Sequence, residues 1–147
     1  MADLLLPEAN TTFPVKCEVI AVLHVMSFHE VVRSTMRHSD GIISLVSILE
    51  HVVDNFSKDE ERNKEILGDL VPLLVNLSID GKNRYVMNSV DCPKIMAQVL
   101  NLRGIPEGMK EDAQIGINNM QIPGGFLSLS LSLSLSLSLS LSLSFYE

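Results

Sequence analysis

From position 14 to position 102 apolar residues recur every three or four positions and are interrupted by short polar links, the pattern of successive amphipathic helices. Val19, Ile20, Leu23 and Met26 mark a first helix, and residues 27–30 break it. Val31, Val32, Thr35 and Met36 fit a short second helix. Ser39-Asp40-Gly41 reads as a turn, with Ser39 or Asp40 available to cap a third helix. That helix carries Ile42, Leu45, Val46, Leu49, Val52 and Val53. Residues 54–65 are polar and mostly charged. Within them Ser57-Lys58-Asp59-Glu60 has the form of a capping box, which predicts a helix start at Ser57, and the run reads as a solvated link.

Ile66, Leu67, Leu70, Val71, Leu74 and Leu77 form the strongest stripe in the chain. Pro72 falls inside it. A proline there removes one backbone donor and crowds the preceding turn, so the pattern predicts a kink or two helices meeting between residues 69 and 71. Asp80-Gly81 ends the stripe, residues 82–87 repeat the short helix, and Asp91-Cys92-Pro93 repeats the turn, with Pro93 suited to a first helical position. Ile95, Met96, Val99 and Leu100 line the next helix. Beyond it the signal fades. Ala113, Ile115 and Ile117 are poorly phased and Gly116 weakens the pattern, so residues 103–125 read as a weakly structured linker or partial helix.

The units repeat. A gapless shift of 51 positions places Leu23 on Leu74, Met26 on Leu77, Ser27 on Ser78, Arg33 on Arg84, Met36 on Met87, Asp40 on Asp91 and Leu49 on Leu100. Self-similarity at a fixed period marks stacked units that bury their apolar faces only against neighbours. The organisation expected is a leader over 1–13, repeats over 14–102, the linker over 103–125 and a low-complexity Leu-Ser tail over 126–147.

Composition narrows the function classes. The formal charge of −7 argues against nonspecific nucleic-acid binding, and the absence of Trp leaves few stacking platforms for bases. Cys17 and Cys92 make no disulfide framework, which favours a reducing compartment, cytoplasm or nucleus. No secretory signal is visible, so the sequons at Asn10 and Asn76 are expected to stay unmodified. His24, His29, His38 and His51 fall in no metal spacing with cysteine or carboxylate, and no phosphate loop or nucleophile elbow is present. No cofactor, no metal and no catalysis are expected. The Leu-Ser alternation over 127–144 admits three readings: a strand with an all-Leu face, a membrane anchor, or a translated CT repeat without function.

Leu74-Val75-Asn76-Leu77-Ser78 followed by Asn83-Arg84, with Asp40-Gly41-Ile42-Ile43 and Leu45-Val46-Ser47-Ile48-Leu49 in the first unit, resembles armadillo repeats over about residues 15–102. The resemblance implies an all-α, armadillo-like right-handed helical solenoid of about two repeats. It departs in its longer spacing, in Cys92 at the turn glycine, in Val25 at the first ladder asparagine, and in Pro72 where nuclear-import members carry Trp. It implies a non-catalytic scaffold or adaptor that takes a protein or an extended peptide in a groove, one class of such proteins being regulators of small GTPases. The groove face it implies carries Asp69, Pro72, Val75 and Asn76 with His24 from the first unit, while Ile66, Leu70, Leu74 and Leu77 face the core. Because stacked repeats need about three units, the expectation is of a truncated or mis-spliced product.

Overall fold

The computed structural model describes residues 13–122, so the expectations for the leader and for the Leu-Ser tail lie outside the described residues. All regular structure among the described residues is helical: α1 (Phe13–Met26), α2 (Glu30–His38), α3 (Gly41–Asp54), α4 (Glu60–Leu77), α5 (Gly81–Ser89), α6 (Cys92–Asn101) and α7 (Glu107–Gln121), with one 3-10 turn, Phe56–Lys58. The described residues form an all-α unit. None of these helices is long and apolar enough to cross a membrane.

The 51-residue offset is built into the backbone. The residues just before α3 and α6, Asp40 and Asp91, both take left-handed conformations, at φ 55° and 56°. Asp tolerates this region better than most residues. The cap expected of the Asp40 side chain is absent, and its carbonyl oxygen instead accepts from Ser44 N and Ser44 Oγ at 3.1 and 3.2 Å.

Three local expectations are corrected. The helix start placed at Ser57 lies at Glu60: Ser57 sits in the 3-10 turn, and Asp59 is the cap, its Oδ1 accepting from Arg62 N at 3.4 Å. Phe56 is buried, and the buried Asn63 amide donates to the carbonyls of Asn55 and Phe56, which holds the turn in and delays the helix. Of the two outcomes expected at Pro72, the meeting of two helices is excluded, because α4 runs unbroken through it for 18 residues. Finally, residues 107–121 form a full helix. Its core positions are Ala113, Gly116, Ile117 and Met120, while Ile115 is exposed. That is regular helical spacing once Gly116 is counted as a contact position: a Cβ there would stand 2.7 Å from Met96 Sδ and 3.3 Å from Val75 Cγ2, so the missing side chain is what lets α7 close on α4 and α6.

α4 is the central element. It packs on α1, α3 and α7, while α3 also meets α2, α5 and α6, and α6 meets α5 and α7. Ile66, Leu67, Leu70, Val71, Leu73, Leu74 and Leu77 of α4 are all buried, against Leu23, Ile42, Leu45, Leu49, Met87, Met96 and Val99 in the same core. The excess length of the first unit is helical. α3 has 14 residues where α6 has 10, and α4 has 18 where α7 has 15.

α2 and α5 are joined by polar contacts. Arg37 Nη1 donates to Asn83 Oδ1 at 2.8 Å and pairs with Asp80 Oδ2 at 3.3 Å, and Asn83 Nδ2 donates to Arg33 O at 3.2 Å. Asp80 caps α5, accepting from Lys82 N and Asn83 N at 2.8 and 3.3 Å. Partial burial pushes the Asp80 carboxyl up, but the two backbone N–H groups and Arg37 outweigh it and leave its pKa below 3.8. A depressed folded pKa contributes stability that is present above the unfolded value and lost as pH falls through the folded one. Asp80→Ala is therefore expected to cost about 1–2 kcal/mol at neutral pH, with the difference from wild type shrinking below about pH 4. Urea titrations at both pH values measure this.

Candidate functional site

The site residues expected on α1 and α4 meet along one face. Asp69, Pro72, Val75 and Asn76 lie on one side of α4 and are half-buried, as is His24. Their spacing sets them along a single helical face, away from the buried positions Leu70, Leu74 and Leu77.

His24 and Asp69 touch: His24 Nδ1 donates to Asp69 Oδ1 at 3.0 Å. The His24 ring also lies beside Phe28, with centroids 6.2 Å apart and planes at 35°. Cys17, Glu18, Ala21, Glu65 and Asp69 border a shallow pocket of about 130 Å³ between α1 and α4. Burial pushes the Cys17 thiol up, with Arg62 opposing, and pushes the Cys92 thiol up to about 12. Both thiols stay protonated at neutral pH, a poor state for nucleophilic attack. Among the described residues no group of three or more His, Cys, Asp or Glu side chains is placed to hold a metal ion.

Asn76 is held between helices. Its Nδ2 donates to Ser27 Oγ at 2.9 Å, and Ser27 Oγ donates in turn to His24 O at 2.6 Å. The next unit repeats this with different residues: Asn119 Nδ2 donates to Ser78 Oγ at 2.9 Å, and Ser78 Oγ donates to Val75 O at 2.6 Å. Ser27 and Ser78 are wholly buried. Each serine closes the end of its own helix and offers its hydroxyl to the asparagine of the next one. Asn76 thus joins α1 to α4, and Asn119 joins α4 to α7.

Two arginines complete the repeated junction. Arg33 Nη1 donates to the carbonyls of Ser27 and Phe28 at 3.0 and 2.8 Å, and Arg84 Nη1 donates to those of Ser78 and Ile79 at 3.1 and 2.9 Å. Each guanidinium satisfies carbonyls at the C-terminal end of the helix before it, groups that no helix can satisfy internally. The serine and arginine pairs sit at the 51-residue offset, whereas Asn119 lies 43 residues after Asn76. A fixed-period comparison therefore finds the serines and arginines and misses Asn119. The signal that locates it is the pair of shorter helices, α6 and α7.

Val75 completes the face on the α7 side, where its Cγ2 lies near Gly116. Asp69 thus leans toward α1 and Val75 toward α7, leaving Pro72 between them. Comparison of the chain with family models, with curated proteins and with solved structures gives no match.

Proposed function

We propose that this chain is a protein-interaction module, an armadillo-like right-handed helical solenoid serving as a non-catalytic scaffold or adaptor in the cytoplasm or nucleus. The observation that supports it is the repeated junction: Ser27, Arg33 and Asn76 between α1 and α4, then Ser78, Arg84 and Asn119 between α4 and α7. Such junctions stack equivalent helices in a row, and a row of helices offers an extended face. On this reading an extended protein segment lies across α4, touching Asp69, Pro72 and Val75.

Asn76 and His24 have a reduced share in that contact. Asn76 spends one donor on Ser27, and His24 is tied to Asp69, so both chiefly shape the face. The exposed acidic groups Glu18 and Glu65 beside Asp69 favour a partner segment carrying Lys or Arg.

The test is a double variant, Asp69→Lys with Val75→Glu, compared with Lys94→Glu on α6. Proteins crosslinked to the wild-type chain in cells are expected to be lost from the double variant and kept by the control. Retention of the same partners by the double variant, with circular dichroism showing both variants folded, sinks the assignment of this face.

A further inference from the structure

The turn that joins α3 to α4 presents a serine hydroxyl that the fold does not use. Ser57 lies at the centre of the 3-10 turn Phe56–Lys58 and is exposed, as is every residue from Ser57 to Arg62. The stretch is pinned on both sides, by the buried Phe56 before it and by the buried Asn63 after it. Most other hydroxyls are engaged. Ser27, Thr35, Ser39, Ser44, Ser78 and Ser89 each donate to a main-chain oxygen three or four residues earlier. Ser34 accepts from Arg37. Among the described residues that leaves Ser47 and Ser57, and both are exposed.

Each of these two serines has a glutamate three residues on, Glu50 and Glu60. Their backbones separate them. Ser47 stands in the middle of α3, and Leu49 after it is buried, so its main chain is closed into the helix ladder. Ser57 stands in a turn closed by Lys58 N donating to Asn55 O at 3.0 Å, and Asp59 behind it is nearly extended, at φ −152° and ψ 77°. The first turn of α4 follows, where a helix leaves its N–H groups without internal partners and is held least. An enzyme that needs its acceptor in an extended strand can therefore open residues 57–61 at far lower cost than the interior of α3. The side chains of this stretch are acidic and lightly held. Asp59 Oδ1 accepts from Arg62 N at 3.4 Å, and Glu61 is 92 % exposed with Lys64 Nζ 3.5 Å away. Glu60 pairs with Lys64 on the surface at 2.8 Å, a contact of small worth in water. The Lys58 ammonium is turned to Asn55 Oδ1, away from these carboxylates.

We infer that Ser57 is a phosphorylation site for an acid-directed protein kinase, one whose substrate groove carries Lys and Arg side chains that read Asp59, Glu60 and Glu61. The kinase transfers the γ-phosphoryl group of ATP to Ser57 Oγ. The Oγ–P bond forms as the bond from the γ-phosphorus to the β-phosphate oxygen breaks, ADP leaves, and the hydroxyl proton passes to the base of the kinase. The product carries a charge of about −2 beside three carboxylates, at the seam between α3 and α4. This site is separate from the Asp69 face and does not rest on the function proposed above.

The test incubates the full chain with Mg-ATP and casein kinase II, an acid-directed enzyme. An arginine-specific protease then releases residues 38–62, a peptide that holds Ser47 and Ser57 together. Fragmentation in the mass spectrometer is expected to place a phosphate on Ser57 and none on Ser47. Ser57→Ala is expected to leave this peptide unmodified. Glu60→Gln combined with Glu61→Gln is expected to slow incorporation at Ser57 about tenfold or more. All three altered side chains are exposed and the cap Asp59 is kept, so circular dichroism should match that of the wild type. A chain that takes no phosphate at Ser57 overturns the inference. Phosphate on Ser47 at a rate matching Ser57 overturns it too, because the fold would then make no choice between the two serines. A rate at Ser57 indifferent to the paired glutamine variant overturns the acid-directed reading and with it the inference.

Discussion

Arg84→Ala is expected to lower stability by about 2–4 kcal/mol, and the melting temperature by about 10 °C or more. Arg84 is only 3 % exposed, and its Nη1 is the donor to two carbonyls, Ser78 O and Ile79 O. Truncation removes two charge-assisted hydrogen bonds and leaves these oxygens in a place that water reaches poorly, at about 1–3 kcal/mol for each unsatisfied group. Burial of the guanidinium opposes this, since it is costly and Arg84 Nε has no partner. Two comparisons separate these effects. Arg84→Lys keeps the charge but not the planar donor fork, so it should recover part of the loss. Arg33→Ala should cost less than Arg84→Ala, because Arg33 is only half-buried and its bond to Phe28 O is exposed. Equilibrium urea unfolding measures all three. An Arg84→Met variant as stable as wild type would show that desolvation cancels the bonds, and the junction would then be no anchor.

The same junction shows how much of the fold is legible in the chain. Ser27 with Ser78 and Arg33 with Arg84 stand out at a fixed offset because the link between an end serine and the following short helix has the same length in both units. The short links also fix where the turn residues Asp40 and Asp91 fall, and both are left-handed. All six residues of the α4 stripe read from periodicity, from Ile66 to Leu77, are buried.

What stays hidden depends on contacts between distant residues. α7 looks weak in sequence because one of its contact positions is a glycine, which carries no hydrophobic signal, and its value shows only once Met96 and Val75 are beside it. The start of α4 is set by Asp59 rather than by the better local motif at Ser57, because Asn63 and the buried Phe56 hold the preceding turn. Asp69, Val75 and Asn76 fall within one arc of α4 by helical phase, and His24 reaches that arc from α1 through Asp69. Periodicity could not show that His24 would bond to Asp69 or Asn76 to Ser27, since those partners are 45 and 49 residues apart.

Leu74→Ala is expected to cost about 3–5 kcal/mol. Leu74 is 0 % exposed on the central helix, whose face is closed on both flanks by α1 and α7 and across by α3. A helix held from three sides cannot shift to fill the space left by three lost carbon atoms, so the cavity penalty adds in full to the lost transfer energy. Leu23 is the control, because it holds the same place on α1 at the 51-residue offset and is 4 % exposed. Among the described residues α1 packs chiefly on α4, and Val15, Val22 and Met26 on its outer side are exposed, so it can move inward when Leu23 is cut back. Leu23→Ala should therefore cost about 2–3 kcal/mol, near the lower end for a buried leucine. Urea midpoints of the two variants, read at a common denaturant slope, give the comparison. Equal losses would mean that α1 is braced as firmly as α4. The open stripe at Val15, Val22 and Met26 would then have cover in solution, and the difference in mobility between the two helices would not exist.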